Sequence, residues 1–554
     1  MNHTEWGMAG RAHARIVGND YDDSVGTPRT LGLRGESLPN ARTVSNVIHR
    51  TDGGIELSEK LTLFAMGYGQ FLDHDFTLTP EQDAVGDCCD EVSQADTDNC
   101  FSIIIPEDDQ YQPLFTAGYC MEVKRSSPVL CADSTSNGNS VRQQQNSITS
   151  YIDGSNVYGS LLFLESGYRM ATTPRGNGAR ILNGEDDNCT LIQTTPGPRQ
   201  FCSAGGDARI NVVPSLTAMH YLFVLEHNRI ANAIKDYYSN NETIFQFFFF
   251  TEDYAYDPVM DATIINAFAT AAYRFGHTWV SQGMVLFDKQ FNVWQNETHP
   301  IHTTFHNPEL TYRPKSFERL AYWLSGGKSP ETDEFLVDGV RNNLFLNASQ
   351  GLAFDLAALN IQRGRDHGLG SYNDYRVWCN LTQVRRNWTA ATPLPDHDTN
   401  MTEKLEAAGY KSPRDIDLFT GGITENSVSE GSLGPTFECI LGEQFRRLKF
   451  GDRYWYQNAD AGFSQAKIDE IEKYTFSKLL CNNYKYTSVQ YPSAFLLQDA
   501  MTNCGDIVDL DFAVFNPNPA STTPATRQLK KVLTLDERLE HLIEEVEGKQ
   551  NSNK

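Results

Sequence analysis

The sequence predicts a mainly α-helical protein with little β, folded as one large domain. Three observations point there. Apolar residues recur at helical spacing in three long stretches, 61–80, 216–234 and 262–280. Strand-like patterning is confined to short pieces such as 101–106 and 149–155. Few convincing linkers interrupt residues 21–513, although 554 residues alone suggest about three or four domains.

A hydrophobic content of 40% fits a globular protein. The formal net charge of -25 and a pI near 4.9 disfavour nucleic acid and anionic membranes as partners. A solvated acidic surface explains the charge. No apolar run approaches the ~20 residues of a membrane span; the longest lies near Ile244–Phe250. Eleven cysteines accompany eight N-x-S/T sequons, at Asn2, Asn188, Asn241, Asn296, Asn347, Asn380, Asn387 and Asn400. That combination fits a secreted glycoprotein with disulfides. The start, MNHTEWGMAG, lacks an apolar region and is not a signal peptide. The expectation is a secreted protein whose leader is missing from this chain.

In order along the chain, residues 1–20 read as an irregular arm. Gly-, Pro- and Arg-rich character with little periodicity persists to residue 60, and His3, His13 and His49 are expected in solvent. Leu61, Phe64, Ala65, Tyr68, Phe71 and Leu72 then set a helical face over 61–80, with Gln70 four residues before His74 on one side of it. Residues 86–131 form a cysteine-rich loop region that carries surface disulfides. Thr149, Tyr151, Asp153 and Ser155 alternate, so extended backbone places the oxygens of Thr149, Asp153 and Ser155 on one side. Alone, D-G-S is turn chemistry. Leu216–Ile234 is a helix whose His220 and His227 fall on the apolar face, as buried, hydrogen-bonded side chains. Residues 262–280 form a third helix, on which Tyr273 and Arg274 share a side with His277. Arg363, Arg365 and Asp366 read as a buried ion-pair network that includes His367. Residues 437–513 are expected to be helical. Beyond them, 514–554 read as a Pro/Thr linker and a short charged amphipathic helix.

One histidine between two carboxylates, as in Asp73-His74-Asp75, is by itself more often a hydrogen-bonded core residue. An arginine in a loop, such as Arg209, is more often a surface or ion-pair residue. Five motifs in order change this reading: DHD with the preceding Gln70, TSYIDGSNVYGS (149–160), GDARINVVP (206–214), YRFGHTWV (273–280) and ALNIQRGRDHGL (358–369). Together they resemble the animal haem peroxidases, over roughly Tyr21 to Phe512. The resemblance implies that family's large single-domain fold and a haem b cofactor. His277 would be the axial iron ligand, its other ring nitrogen held by Asn360. His74 would be the general base toward hydrogen peroxide, Arg209 the distal cation, and Gln70 would hold water or halide. Arg274 and Arg363 would lie at the propionates, and Asp73 at the first ester position. A calcium site would use Asp75, Thr149, Asp153, Ser155 and the carbonyl of Tyr151, and so fix the helix presenting His74. The family pattern also implies disulfides Cys189–Cys202, Cys379–Cys439 and Cys481–Cys504. Cys88, Cys89, Cys100 and Cys120 would pair among themselves, leaving Cys131 over.

Two departures stand out. Val212 occupies the position of the family's second ester glutamate and Val213 that of a sulfonium-forming methionine, so at most one covalent link is expected, and a weaker oxidant with it. Between 216–235 and 262–280 a family helix is missing, and NNETIFQ near Gln246 runs straight into four phenylalanines. The function implied is an extracellular peroxidase acting on phenolic or halide donors. The alternative is a weak or inactive cell-adhesion or matrix protein on the same fold, for which no RGD tripeptide speaks. A fatty-acid dioxygenase reading finds no motif.

Overall fold

A computed structural model of the chain describes residues 6–51, 54–82, 87–90, 96–111, 120–129, 141–159, 184–186, 202–237, 256–347, 352–389, 392–458 and 461–515. The chain separates into two units, 1–514 and 515–554. His3, Cys131, the Cys189–Cys202 pairing, the junction at Gln246 and the helix expected beyond 515 lie outside the described residues.

Helices dominate. In order they include α1 (Ala41–Ile48), α2 (Phe64–Phe76), α3 (Ser155–Tyr158), α4 (Pro214–Tyr237), α5 (Asn266–Thr270), α6 (Ser316–Gly326), α7 (Leu356–Asp366), α8 (Tyr372–Trp378), α9 (Leu418–Ile423), α10 (Pro435–Gly451) and α11 (Phe476–Asn483). A 3-10 helix, Ala272–Trp279, follows α5. The described strands pair two at a time, as antiparallel ribbons. Leu57–Thr62 pairs with Lys328–Pro330, and Ile103–Ile104 with Cys120–Met121.

Helix α2 sits between two apolar clusters. Phe64, Met66 and Phe71 pack with Leu216, Met219 and Leu222 of α4 and with Leu320, Trp323 and Leu324 of α6. Phe76, one turn on, packs with Phe268 of α5 and Ile361 of α7. Each buried phenylalanine stabilises by about 1.5–3 kcal/mol, so the helix is anchored from both sides and cannot turn about its axis. Its end is closed by Thr77, whose hydroxyl donates to the Asp73 carbonyl at 3.1 Å and to Asp73 Oδ1 at 2.7 Å.

Several expectations need correction. The helix expected over 61–80 runs only from Phe64 to Phe76, because 57–62 pair with the strand at 328–330 and Thr77 turns extended. The helix expected over 262–280 is broken: the N–H of Ile264 is taken by Ser150 Oγ and that of Ile265 by Gln444 Oε1, while Ala14 pairs with Ile264 and Asn266. Those tertiary bonds hold 262–265 out of the helix, and 3-10 turns replace α turns after Ala271. The first sixty residues are less irregular than expected. Asn40 caps α1, its side chain accepting from the N–H groups of Arg42 and Thr43. His13 and His49 are buried, not solvated. They bond Thr79 Oγ1 at 2.9 Å and the Glu334 carbonyl at 2.7 Å. Residues 437–513 are α-helical only as far as Asn483, with short 3-10 turns at Cys504–Asp506 and Phe512–Phe515 beyond. Of the disulfides in the loop region, Cys88–Cys100 is buried, not superficial. Cys89–Cys120, Cys379–Cys439 and Cys481–Cys504 also form, as the family pattern implies.

Buried charge fixes the helix that carries Asn360. Arg42 of α1 is fully buried and bonds Asp109 Oδ2 at 2.8 Å and Asp355 Oδ2 at 2.6 Å. Asp355 in turn caps α7, accepting from the Ala358 N–H at 3.1 Å. Removing it leaves a buried guanidinium short of a partner and the helix without its cap. Asp355→Ala is therefore expected to destabilise by about 3–5 kcal/mol, read as a lowered denaturant midpoint; a loss below about 1 kcal/mol, the range of a cap alone, would remove the ion pair from this role.

Candidate active site

The C-terminal half of α2 presents Gln70, Asp73, His74 and Asp75 in successive directions. Gln70 is half-buried and shares a face with His74. His74 is 6% exposed, and its Nδ1 has no hydrogen-bond partner. Burial, then the charge of Arg209, then His220 hold its pKa well below the ordinary histidine range. The ring is therefore neutral at neutral pH, the state a proton acceptor requires.

Arg209 comes from the 3-10 turn Ala208–Asn211. Asp207 caps that turn through the Arg209 N–H and grips the guanidinium twice, at Nε (2.9 Å) and Nη2 (2.7 Å). Nη2 also donates to the Thr77 carbonyl at 2.8 Å, and Nη1 lies 3.9 Å from Asp73 Oδ2. The cation is thus brought to the end of α2 next to His74. Asp207 was not among the residues singled out in the sequence, although its place two residues before Arg209 in GDARIN is the signal that could have found it.

The 3-10 helix carries the second group. The Tyr273 hydroxyl donates to the Gly69 carbonyl at 3.3 Å, which ties this helix to α2. His277 Nδ1 lies 2.9 Å from Asn360 Nδ2 on α7, and Asn360 Oδ1 accepts from Arg274 Nη1 at 2.9 Å. Burial, and then Arg274, lower the His277 pKa to about 3. Burial first and Arg363 second bring Arg274 down to about 10. A half-buried guanidinium with no ion-pair partner among the described residues carries a desolvation cost.

Two histidines thus lie on elements bonded to each other, one near an arginine and one tied to an asparagine. The family model described as animal haem peroxidase matches residues 1–248 and 242–495. The chain belongs to the animal haem peroxidase family. It is 33% identical over 539 residues to the peroxidasin homolog pxn-2 of Caenorhabditis elegans, covering 87% of this chain and 40% of that protein. It is 31% identical over 571 residues to lactoperoxidase of Mesocricetus auratus, covering 92% of this chain and 78% of that one. The chain thus spans about two fifths of the peroxidasin-type relatives. Among solved structures, peroxidase A from Dictyostelium discoideum aligns with TM-score 0.70 and 25% identity, over 89% of this chain and 96% of that one. A fatty acid alpha-dioxygenase from Arabidopsis thaliana, at TM-score 0.65 and 15% identity over 93% of this chain and 84% of that one, shares the fold.

Membership of the animal haem peroxidase family implies haem, and the residues fit it. Arg274 offers a half-buried positive charge that a cofactor carboxylate would neutralise. Asp73 is a carboxyl whose pKa is raised chiefly by burial. Arg363 is placed differently from Arg274: its guanidinium is engaged by the Lys124 carbonyl (2.6 Å), Glu81 (2.9 Å) and Asp366 (3.2 Å). Asp366 is fully buried and bonds Arg125 at 2.7 Å, and His367 bonds Ser126 and Thr270. Of the ion-pair network read from the sequence, Arg363 and Asp366 are paired, with His367 joined to them through Ser126, but Arg365 turns away to Asp417 at 2.6 Å. Of the two helix histidines, His227 bonds the Tyr158 hydroxyl at 2.9 Å, whereas His220 is buried with both ring nitrogens unpartnered.

The oxygen-rich loop gathers at the far side of α2. Asp75 Oδ2 accepts from the Gly154 N–H at 3.1 Å, and its carbonyl from Ser155 Oγ at 3.0 Å. Asp153 accepts from Thr149 Oγ1 at 2.8 Å and from the Ser155 N–H at 2.9 Å. The residues converge through a turn, not through one extended strand: Gly154 has φ 74° and Ser155 opens α3. The Tyr151 hydroxyl is bonded to the Trp6 carbonyl at 2.8 Å. Gly206 locks this loop to the Arg209 loop, since a Cβ there would lie 2.3 Å from the Ser155 carbonyl oxygen. Among the described residues no group of three or more His, Cys, Asp or Glu side chains is placed to hold a metal; here two carboxylates are joined by hydroxyls and carbonyls, the hard-oxygen mixture calcium takes.

Burial, and next the charge of Asp153, raise Asp75 to about 6. A carboxyl raised on folding stabilises below its unfolded pKa, and that stability is lost as pH rises through the folded one. With chelator present, the wild type is expected to lose up to about 3 kcal/mol relative to Asp75→Asn between about pH 4 and pH 6.5. Thermal unfolding of both proteins across that range checks the sign; parallel profiles would contradict it.

Proposed function

We propose that the protein is a haem peroxidase that reduces hydrogen peroxide and oxidises small phenolic or halide donors outside the cell. The observation carrying this reading is a neutral, buried His74 beside Arg209 at the end of α2, with His277 on a helix bonded to α2. Haem supplies the electrons and the iron that meets the peroxide. His277 would hold the iron through Nε2, which requires its proton on Nδ1 and an acceptor there. Asn360 would provide that acceptor with its carboxamide turned to present Oδ1. Arg274 would hold a propionate, releasing Oδ1 for that turn, while Arg363 adds positive charge behind it.

On the opposite face, His74 takes a proton from peroxide on Nε2 and returns it to the departing oxygen. Arg209 stabilises negative charge as the O–O bond breaks, and Gln70 positions water or halide. Asp73 would offer one ester and Val212 none, so a moderate oxidant is expected. Calcium held by Asp75, Thr149, Asp153, Ser155 and the Tyr151 carbonyl would rigidify the loop locked to Arg209. Disulfides in the domain and exposed sequons at Asn380, Asn387 and Asn400 support an extracellular setting. Among the described residues no helix is long and apolar enough to cross a membrane.

A second reading is a matrix or cell-adhesion protein with little activity. It is favoured by the way the family match falls into two stretches meeting at 242–248, where the sequence departs from the family pattern. The absorption spectrum of haem-supplemented protein separates the two. A stoichiometric Soret band that shifts with peroxide and recovers with a phenol is expected of the enzyme; folded, calcium-loaded protein without the band supports the second reading. His277→Ala should abolish haem binding, and stoichiometric haem in that variant would end the ligand assignment. His74→Ala should retain haem and slow peroxide activation at least ~100-fold; a wild-type rate would sink its role as base.

A further inference from the structure

Behind His74 lie four buried polar atoms that make no hydrogen bond: its own Nδ1, both ring nitrogens of His220 and Oδ1 of Asn156. The three residues are 6%, 2% and 1% exposed and come from three different helices. Unpaired buried polar atoms are individually rare, and several around one gap mark space suited to an internal water.

The geometry places them together. The His220 ring meets Phe71 edge-on, with centroids 5.0 Å apart. The Phe71 carbonyl accepts from Asn156 Nδ2 at 2.7 Å. A Cβ on Gly205 would lie 3.7 Å from His220 Nδ1 and 3.8 Å from the backbone carbonyl oxygen of Asn156, so His220 and the Asn156 backbone meet at the Gly205 loop, beside Ile210 Cδ1. On the His74 side, Nδ1 stands 3.9 Å from Asp207 Oδ1. That is too long for a direct hydrogen bond and is a separation one water spans. The charge of Asp207 bears on His220, and His220 on His74, as expected of neighbours.

We propose that a buried water beside His74 Nδ1 links it to His220 and Asp207 and so holds the proton of His74 on Nδ1. The inference rests on the reading of His74 as the base toward peroxide. A neutral imidazole carries one proton, and only the form with that proton on Nδ1 leaves Nε2 free to accept another. Asp207 already receives Arg209, so one carboxylate orients the cation directly and the histidine through water. His220 is then a positioning residue. It touches neither peroxide nor haem.

The test compares His220→Leu, His220→Gln and His74→Ala in the full chain. The readouts are haem content, the rate of the Soret change on adding hydrogen peroxide, and the ring-nitrogen NMR signals of 15N-histidine-labelled protein before haem is added. His220→Leu is expected to keep haem yet react about tenfold more slowly, with His220→Gln within about threefold of wild type, a fraction of the 10²–10⁴ a positioned base supplies. The His74 ring, identified by its loss in His74→Ala, is expected as the Nδ1–H form in wild type and shifted toward Nε2–H in His220→Leu. A wild-type rate in His220→Leu overturns the inference, and so does a slower rate with the His74 ring signals unchanged. If His74→Ala itself reacts at the wild-type rate, the reading of His74 as base has failed, and the ring signals alone decide for His220.

Discussion

Asp207 closes two hydrogen bonds onto the Arg209 guanidinium while capping the turn that carries it. This grip sets where the cation can go. A guanidinium held at Nε and Nη2 has its plane fixed, and its remaining edge reaches the carbonyl of Thr77 and the carboxylate of Asp73. The end of α2, with its neutral histidine, is thereby joined to the loop before α4 by one buried carboxylate. Charge-assisted pairs of this kind are stronger and more directional than neutral ones. The rest of the site inherits its geometry from that junction, and Gly206 extends it to the oxygen-rich loop at Asp75.

Elsewhere the interior pairs its cations closely. Arg42, Arg125 and Arg376 are fully buried and each meets a carboxylate. Arg365 and Arg29 share Asp417. Half-buried guanidinium groups are held differently: Arg274 and Arg142 each bond a carboxamide and a carbonyl.

Much of the site was legible in the sequence, because its residues lie in short motifs whose order is informative. His74 with Gln70, the Arg209 loop, His277 with Arg274, and Asn360 all fall where the motifs place them. What the sequence did not disclose depends on partners far along the chain. The break between α5 and the 3-10 helix comes from Ser150, Gln444 and Ala14, which no local pattern around residues 262–280 reveals. His49 was expected in solvent because it lies in a Gly-, Pro- and Arg-rich stretch with little periodicity, yet it follows α1 into the core against Phe419. The orientation of the Asn360 carboxamide, with its oxygen on Arg274 and its nitrogen toward His277, is a three-body arrangement that no residue in it predicts alone.

The arm at residues 7–14 runs along two separated parts of the chain. Gly10 and His13 bond Asn146 and Gln144, Gly7 bonds Thr263, and Ala14 bonds Ile264 and Asn266. The segment leading to His277 is therefore completed by residues some 250 positions earlier. Contacts of such sequence separation form late, since the loop they close must first be ordered by other interactions. During synthesis the arm emerges early and waits, its hydrogen bonds unmade, until the segment it braces has been translated. The segment that carries His277 is thus among the last parts of the domain to take shape, and its assembly reports on the whole intervening chain having folded.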